Sequence, residues 1–576
     1  MINKRNLGFL QRFWTIAKLY WCGNEKLGAI ALLLILIALV LVSTQVRVII
    51  NTQQGNIVSA LVAKDANRFW MITWKVFALS LILPTMWCTY HYIRKKLVIY
   101  WRRWLTNHFL DKYFRNRAFY ELSHSQKEID NPDQRIAEDI NKFADGFVVF
   151  FFNMFNAGSQ IIAFSTVLWV ISPTLMIFLV IYAVSGTLLT IWLFGKKLVK
   201  LNFKQLKKEA DFRFGLVRLR ENAESVAFYR GEAQEFNQIN HLFNQVFQNF
   251  NKLIFWQELI ITIAGSFYYY IPGFLPALVI APQILSGQLE IGKLAEAQGA
   301  FGTLSWEINV IIRTFKELVG FAAGIERLFE FYNFLQQPKK EIISSNIQYT
   351  TINTVEDKCL ALQDLTLYTP NYQRTLLQNV SVKLQSGQGM LIMGASGCGK
   401  SSLLRAIAGL WNSGNGTIIR PKLEEILFLP QRPYMVLGNL RKQLVYPLVN
   451  DKISDQELHQ VLQEVNLPNL VERFGGFNVE KDWGDVLSLG EQQRVAFARL
   501  LICKPKYVIL DEATSALDIK NEENLYQHLL GTQTTFISVG HRPTLFKYHH
   551  LLLELLNDEN WQFREVEDDN TLNEYR

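Results

Sequence analysis

Cysteine is scarce and scattered in this chain. Five occur among 576 residues, Cys22, Cys88, Cys359, Cys398 and Cys503, and no two stand at a paired spacing. That excludes a disulfide framework and a cysteine zinc site, and it suits a reducing compartment. Charge is missing more locally. None is found from Leu27 to Val46, from Val76 to Ile93, from Gly146 to Gly195 or from Leu259 to Gln288. About 20 apolar residues suffice to cross a bilayer as a helix. The four stretches therefore hold five spans, with Ser172-Pro173 as the turn inside the longest and Pro84 tolerable within a membrane helix. Leu27–Val46 also lacks the short apolar core and small-residue cleavage site of a signal peptide, so it reads as a retained span.

A sixth span, Leu294 to Thr314, is apolar but interrupted by Glu296, Gln298, Glu307, Asn309 and Arg313, and hydropathy alone misses it. Intramembrane Glu258, Glu307 and Arg313 are costly in lipid. They are expected to face a watery cavity, where they could touch a solute, or to lie at helix ends. Before the first span, Leu7, Leu10, Phe13, Trp14, Ala17 and Trp21 form one apolar stripe beside Arg12 and Lys18. The stripe suits an amphipathic helix lying on the membrane, and periodicity alone suits a packed soluble helix equally well.

The net charge of +8 raises the question of nucleic acid, and the placement of the basic residues answers it. Lys4, Arg5, Arg12 and Lys18 precede span one; Arg94, Lys95, Lys96, Arg102 and Arg103 follow span two; Lys196, Lys197, Lys200, Lys204, Lys207 and Lys208 follow span four. The alternate connections carry far fewer. This bias puts both termini and the long loops 94–145 and 196–258 in the cytoplasm, and it leaves no case for a nucleic-acid partner. Both loops show helical periodicity, so the spans are expected to continue well beyond the bilayer.

The second half has ordinary soluble composition, with short apolar strands alternating with helical patterns, the mark of an α/β domain. Gly394-Ala395-Ser396-Gly397-Cys398-Gly399-Lys400-Ser401 follows the apolar run Met390–Met393 and precedes a helical pattern from Ser402 to Ala408. Strand, glycine loop and helix together make a phosphate-binding loop. Its amides and the helix N-terminus face phosphate, Lys400 reaches the β- and γ-phosphates, and the Ser401 hydroxyl can ligand Mg²⁺. Tyr507–Leu510 reads as a buried strand ending in Asp511, which can hold Mg²⁺ through water, and Glu512, which can polarise an attacking water. Gln431 follows the apolar strand Phe428–Leu429, and His541 follows the strand Thr535–Ile537.

In this order the set resembles the ATP-binding cassette (ABC) transporters over almost the whole chain. The resemblance implies Walker A at Gly394–Ser401, the Q-loop at Gln431, the signature at Leu487–Gln492 and Walker B at Tyr507–Asp511. It implies catalytic Glu512, a D-loop at Ser515–Asp518 and the switch His541. Bound ATP would meet Gly394 to Ser402, Gln492 and Asp518, with Tyr372 (or Tyr368) stacked on adenine, and Ser488 and Gly490 would touch the γ-phosphate across a dimer. Mg²⁺ would be held by Ser401, Gln431 and Asp511. The signature departs from LSGGQ at Leu489 and Glu491.

Asp130-Asn131-Pro132-Asp133-Gln134-Arg135, continuing to Glu138-Asp139, and Arg220–Glu232 are similar to segments of subfamily D, the peroxisomal fatty-acyl and cobalamin type, and of its bacterial peptide and cobalamin uptake relatives.

The expected fold class is multidomain, an all-α six-helix transmembrane domain of ABC exporter-like form followed by an α/β P-loop NTPase cassette. The expected boundaries are an amphipathic elbow at 1–26, the membrane domain at 27–335, a linker at 336–350 and the cassette at 351–576. The resemblance further implies a homodimer in a lipid bilayer, favoured as a bacterial inner membrane. Its ATP hydrolysis would move a bulky solute such as a cobalamin-like compound or peptide, with helical segments near 120–140 and 205–225 relaying the motion. A fatty acid or acyl-CoA transporter, or a membrane-anchored regulatory ATPase that carries nothing, are the alternatives.

Overall fold

A computed structural model describes residues 8–124, 131–190, 196–308, 310–336, 350–449, 453–556 and 559–566. The chain divides into two compact units, Met1–Pro338 and Lys339–Arg576. Most of the expected linker, 337–349, lies outside the described residues.

The first unit is helical. Among the described residues three helices are long and apolar enough to cross a membrane by length and composition, Lys26–Val62, Ala66–Phe114 and the run Pro132–Ile171. Pro173–Thr190 and Glu232–Leu285 carry the remaining uncharged stretches, and Gly292–Ile308 carries most of the polar sixth. Glu232–Leu285 has 54 residues, and a rise of about 1.5 Å per residue makes it far longer than a bilayer is thick.

The sixth stretch escapes hydropathy because its polar groups face another helix. Glu296, 4% exposed, receives Thr52 Oγ1 at 2.8 Å and Lys293 Nζ at 2.7 Å, and Asn51 Nδ2 donates to its backbone carbonyl at 3.0 Å. Two glycines permit that closeness, since a Cβ on Gly292 would stand 2.1 Å from the Gly55 carbonyl oxygen. Glu307 is buried, whereas Glu258 is exposed along Glu232–Leu285, and the Arg313 side chain lies outside the described residues.

The first helix, Phe9–Trp21, corrects the expected single stripe. Ile16, Ala17 and Tyr20 are buried, with Phe13 stacked on Phe147 (4.7 Å) and Tyr20 on Trp101 (5.7 Å), and Arg12 pairs with Glu326 at 2.6 Å. Leu10 and Trp14 point outward. A helix apolar on two sides can serve the bundle with one and the bilayer surface with the other, which a one-stripe reading merges. Leu7 lies outside the described residues.

Among its described residues the second unit has ten strands: β1 Asn353–Glu356, β2 Leu360–Tyr368, β3 Thr375–Leu384, β4 Gly389–Gly394, β5 Gly414–Arg420, β6 Ile426–Leu429, β7 Tyr507–Asp511, β8 Thr535–Val539, β9 Leu551–Leu555 and β10 Trp561–Glu565. A four-stranded sheet runs β1-β5-β2-β3 and a six-stranded sheet runs β10-β9-β4-β8-β7-β6. Every pairing in the larger sheet is parallel except β10 with β9. Alternate residues bury opposite faces. Leu391, Leu510, Phe536 and Leu552 join one core with Val495 and Leu500 of the helix Leu489–Cys503. Met390, Ile392, Ile509, Ile537 and Leu553 join the other with Leu403 and Ile407 and the smaller sheet. Burial on both faces explains why these strands read as unbroken apolar runs.

Candidate nucleotide site

Register assembles the site. Ile392 of β4 and Asp511 of β7 both lie opposite Val539 of β8, and Leu429 of β6 lies opposite Leu510. Four neighbouring strands, spaced about 4.8 Å apart, thus end on one line. The residues just past those ends are the glycine loop, Gln431, Glu512 and His541. In parallel sheets this edge is where ligands bind.

Gly394 has φ +147°, and a Cβ there would sit 2.3 Å from the Leu555 carbonyl oxygen, so no other residue fits. The loop ends at Gly399, the N-cap of the helix Lys400–Ile407, which no side chain caps. Its first amides therefore stay available to an anion. Lys400 curls into its own loop, donating from Nζ to the carbonyls of Gly394 (2.7 Å) and Ala395 (2.9 Å). A phosphate oxygen is a stronger acceptor than either carbonyl and would draw the ammonium out.

Burial, reinforced by the charge of Glu512, raises the Asp511 carboxyl above its ordinary value, while a hydrogen bond with Ser401 and the positive Arg405 and Lys400 pull it down. Two adjacent carboxylates and a hydroxyl are a hard oxygen donor set, and a divalent cation would relieve the repulsion. Among the described residues no three His, Cys, Asp or Glu side chains surround one point, so such a cation would complete its shell with phosphate and water.

Glu512 is held at both oxygens. Gln431 Nε2 donates to Oε2 at 2.7 Å, and His541 Nε2 stands 3.2 Å from Oε1. Its backbone is left-handed at φ +48°, a strained choice for glutamate, with the Glu512 amide donating to the Val539 carbonyl at 3.1 Å. A carboxylate oriented this way can take a proton from water.

The strand that delivers His541 rests on a buried polar chain. Tyr526 OH bonds Ser538 Oγ (3.0 Å), Ser538 Oγ bonds His549 Nε2 (2.8 Å), and His549 Nδ1 bonds the Leu545 carbonyl (2.7 Å). The carbonyl can only accept, so Nδ1 carries the proton and Nε2 accepts. Burial lowers the His549 pKa to about 4. Because the unfolded ring has a pKa near 6.5, the unfolded state binds the extra proton between pH 6.5 and 4, and stability falls as pH falls through that window. The loss is worth ~3 kcal/mol. Thermal melting of the protein is therefore expected to decline more steeply below pH 6.5 in wild type than in His549→Gln; parallel curves would refute this origin.

Ser488 caps the helix Leu489–Cys503 in a reciprocal capping box with Glu491, and Arg473 pairs with Glu491 at 2.6 Å. Burial would raise the Glu491 carboxyl, but hydrogen bonds from Arg473 and Ser488 outweigh it and hold it below its ordinary value. The departure at Glu491 thus builds a helix cap. The Gln492 side chain donates to the carbonyls of Gly484 (2.9 Å) and Leu487 (2.8 Å), so it fixes the preceding loop. Asp518 caps the helix Ile519–Gly531, accepting from the Asn521 amide at 2.8 Å.

Tyr372, at φ +55°, donates its hydroxyl to the Thr350 carbonyl at 2.9 Å, its ring 5.6 Å from that of Tyr368. Among the described residues no hydrogen bond joins Ser488, Gly490 or Asp518 to the glycine loop of the same chain. Gln493 and Arg542, which carry no assigned role in the sequence, both hold the Ser515–Leu517 loop, and the motif residues Gln492 and His541 beside them give the stronger signal.

Comparison with known proteins agrees with this geometry. The family model described as ABC transporter transmembrane region 2 matches residues 16–285, and the ABC transporter model matches 377–515. The chain is 45% identical to an uncharacterized ABC transporter ATP-binding protein of Synechocystis, covering 93% of this chain and 81% of that one. It is 35% identical to the chloroplastic ABC transporter D family member 2 of Arabidopsis thaliana, covering 98% and 89%. It is 31% identical to the lysosomal cobalamin transporter ABCD4 of Homo sapiens, covering 97% of each. In fold it is similar to a bacterial Atm1-family ABC exporter with ATP bound, with a TM-score of 0.74, 17% identity, and coverage of 95% of this chain and 97% of that one. The chain therefore belongs to the ABC transporters, as a half-transporter whose helical membrane region is fused to an ATPase coupled to transport, and whose relatives are subfamily D members and their bacterial counterparts.

Proposed function

We propose that two copies of this chain form a two-fold symmetric transporter for a bulky hydrophilic solute, such as a cobalamin-like compound or a peptide, in a bacterial inner membrane with both termini cytoplasmic. The observation that carries the ATPase half is the Glu512 carboxylate gripped by Gln431 and His541 beside the glycine loop. In this reading the amides of Gly394–Ser402 and the Lys400 ammonium bind the β- and γ-phosphates, and Tyr372 stacks on adenine. Mg²⁺, held by Ser401, Asp511 and Gln431, would neutralise phosphate charge. Glu512 accepts the proton of the attacking water, and His541 holds the carboxylate in place. Ser488, Gly490 and Asp518 of the second copy complete the site, which one chain cannot close alone.

For the solute, the supporting observation is a cavity of about 460 Å³ in the helical unit, lined by Arg47, Asn51, Gln54, Gln160, Thr303 and Glu307 among others. Arg47 donates to Gln160 Oε1 at 3.4 Å, and Gln160 Nε2 donates to Glu307 at 3.3 Å. Charged and amide groups are expensive at bilayer depth, and their presence in this lining beside Ile50, Leu83, Phe164 and Trp306 suits a solute with its own hydrogen-bonding groups better than an acyl chain. The name of the human relative, a cobalamin transporter, is consistent with this.

The test is the protein in liposomes given cyanocobalamin, a hydrophilic peptide or palmitoyl-CoA. One of the first two is expected to accumulate with ATP and to stimulate hydrolysis, and Arg47→Ala should raise its half-maximal concentration about tenfold. Response to palmitoyl-CoA alone would favour an acyl substrate, and hydrolysis without flux of any of the three would favour a regulatory ATPase.

A further inference from the structure

We propose that Gln493 is a positioning residue for hydrolysis, a single buried amide that locks the loop carrying Gln431 and the loop Ser515–Leu517 to the helix begun by Ser488. The inference rests on the reading of Gln431 and Glu512 given above. Gln493 is fully buried. Its Nε2 donates to the Gln431 carbonyl at 3.1 Å and to Ser515 Oγ at 3.2 Å, and its Oε1 accepts from the Ala516 amide at 3.0 Å. Both N–H groups and the oxygen are thereby engaged.

The partners matter more than their number. The Gln431 carbonyl belongs to the residue whose side chain donates to Glu512 at 2.7 Å. Shifting that backbone by an ångström would break the shorter bond and misplace the carboxylate. On the other side, Arg542, next to His541, donates to the carbonyls of Ser515 (2.9 Å) and Leu517 (2.8 Å). A Cβ on Gly490 would lie only 3.1 Å from the Ala516 carbonyl oxygen, so the same loop also touches the helix start. Gln493 therefore ties the part of the cassette that would face the second copy's phosphate to the part that holds the carboxylate of its own site. An ordinary buried amide would satisfy itself anywhere; this one ties two loops that the reaction requires in register to the helix Leu489–Cys503.

The test exploits the proton. An ionised carboxylate in place of the amide still accepts from Ala516 and can accept from Ser515, but it cannot donate to the Gln431 carbonyl. A protonated one can, and burial raises its pKa. In the reconstituted protein, Gln493→Glu is expected to lower kcat about tenfold at pH 8 with KM for ATP within about twofold, and to regain much of that loss relative to wild type towards pH 6. A merely structural role would give no such recovery.

Wild-type kcat for Gln493→Glu at pH 8, or a loss equal at all pH, would overturn the proposal. Should that variant fail to fold, the shape-matched Gln493→Met decides: a fall in kcat of about fivefold or more at unchanged KM supports it, and an unchanged kcat overturns it. Glu512→Gln is run beside them. If it turns over ATP normally, the underlying reading fails; if it is inactive while Gln493→Glu is fully active, this inference alone fails.

Discussion

Glu512→Gln is expected to bind ATP as wild type does and to lose hydrolysis by roughly 10²–10⁴-fold, the usual worth of a positioned general base. The substitution isolates one property. Glutamine has the same shape, pays the same strain at φ +48°, and can accept from Gln431 Nε2 through its own oxygen. Its amide nitrogen can donate to a neutral His541, which stands 3.2 Å from the carboxylate oxygen it replaces. Only the capacity to receive a proton is removed. Nucleotide binding and phosphate release, measured on the same reconstituted protein, separate the two effects. Turnover within a few-fold of wild type would remove Glu512 from the role of base.

The sequence was most legible where physics forces a residue type. Gly394 must lack a side chain, because Leu555 fills the space, and a motif of such positions can be read without a structure. Strands β4, β7 and β8 are buried on both faces, so each reads as an apolar run, and their shared edge then places Gln431, Glu512 and His541 together. The uncharged stretches are legible for a similar reason, since charge is costly in lipid, and three of the described helices that carry them are long and apolar enough to cross a membrane.

Legibility failed where direction decides. Neighbouring Gln492 and Gln493 lie on different sides of one helix, and no local pattern says that the first ties down its own loop while the second reaches Gln431, 62 residues earlier. Leu10 and Trp14 belong to an apolar face that periodicity could not separate from that of Phe13 and Ala17. Glu296 looks costly in isolation because its partners, Asn51 and Thr52, lie some 245 residues away in the chain. Long-range pairing of polar groups leaves no local trace.

Asp139 is the largest case of that kind, and Asp139→Ala is expected to be the most damaging single change in the helical unit. The carboxylate is wholly buried at the start of the helix Ile140–Ile171. Arg327, from Val310–Gln336, donates to it twice, from Nη2 to Oδ1 at 2.7 Å and from Nε to Oδ2 at 3.0 Å, and Arg135 donates to Oδ2 at 3.0 Å. The segment Asp130–Asp139, which marks the resemblance to subfamily D, thus works in its described part as a clamp between helices 188 residues apart in sequence. Removing the anion strands two guanidiniums against each other, one of them in a side chain only 10% exposed. Breaking a buried pair costs about 3–5 kcal/mol, and the 38% exposure of Arg327 argues for the lower end. In a protein of this size that corresponds to a fall of roughly 2–4 °C in melting temperature, readable by tryptophan fluorescence in detergent. The cost lies in the orphaned charges rather than in the lost attraction. The triple change Arg135→Met, Asp139→Leu, Arg327→Met should accordingly melt nearer to wild type than Asp139→Ala alone. If the triple variant melts lower still, the three charges stabilise the clamp outright, and the orphaned-charge account is wrong.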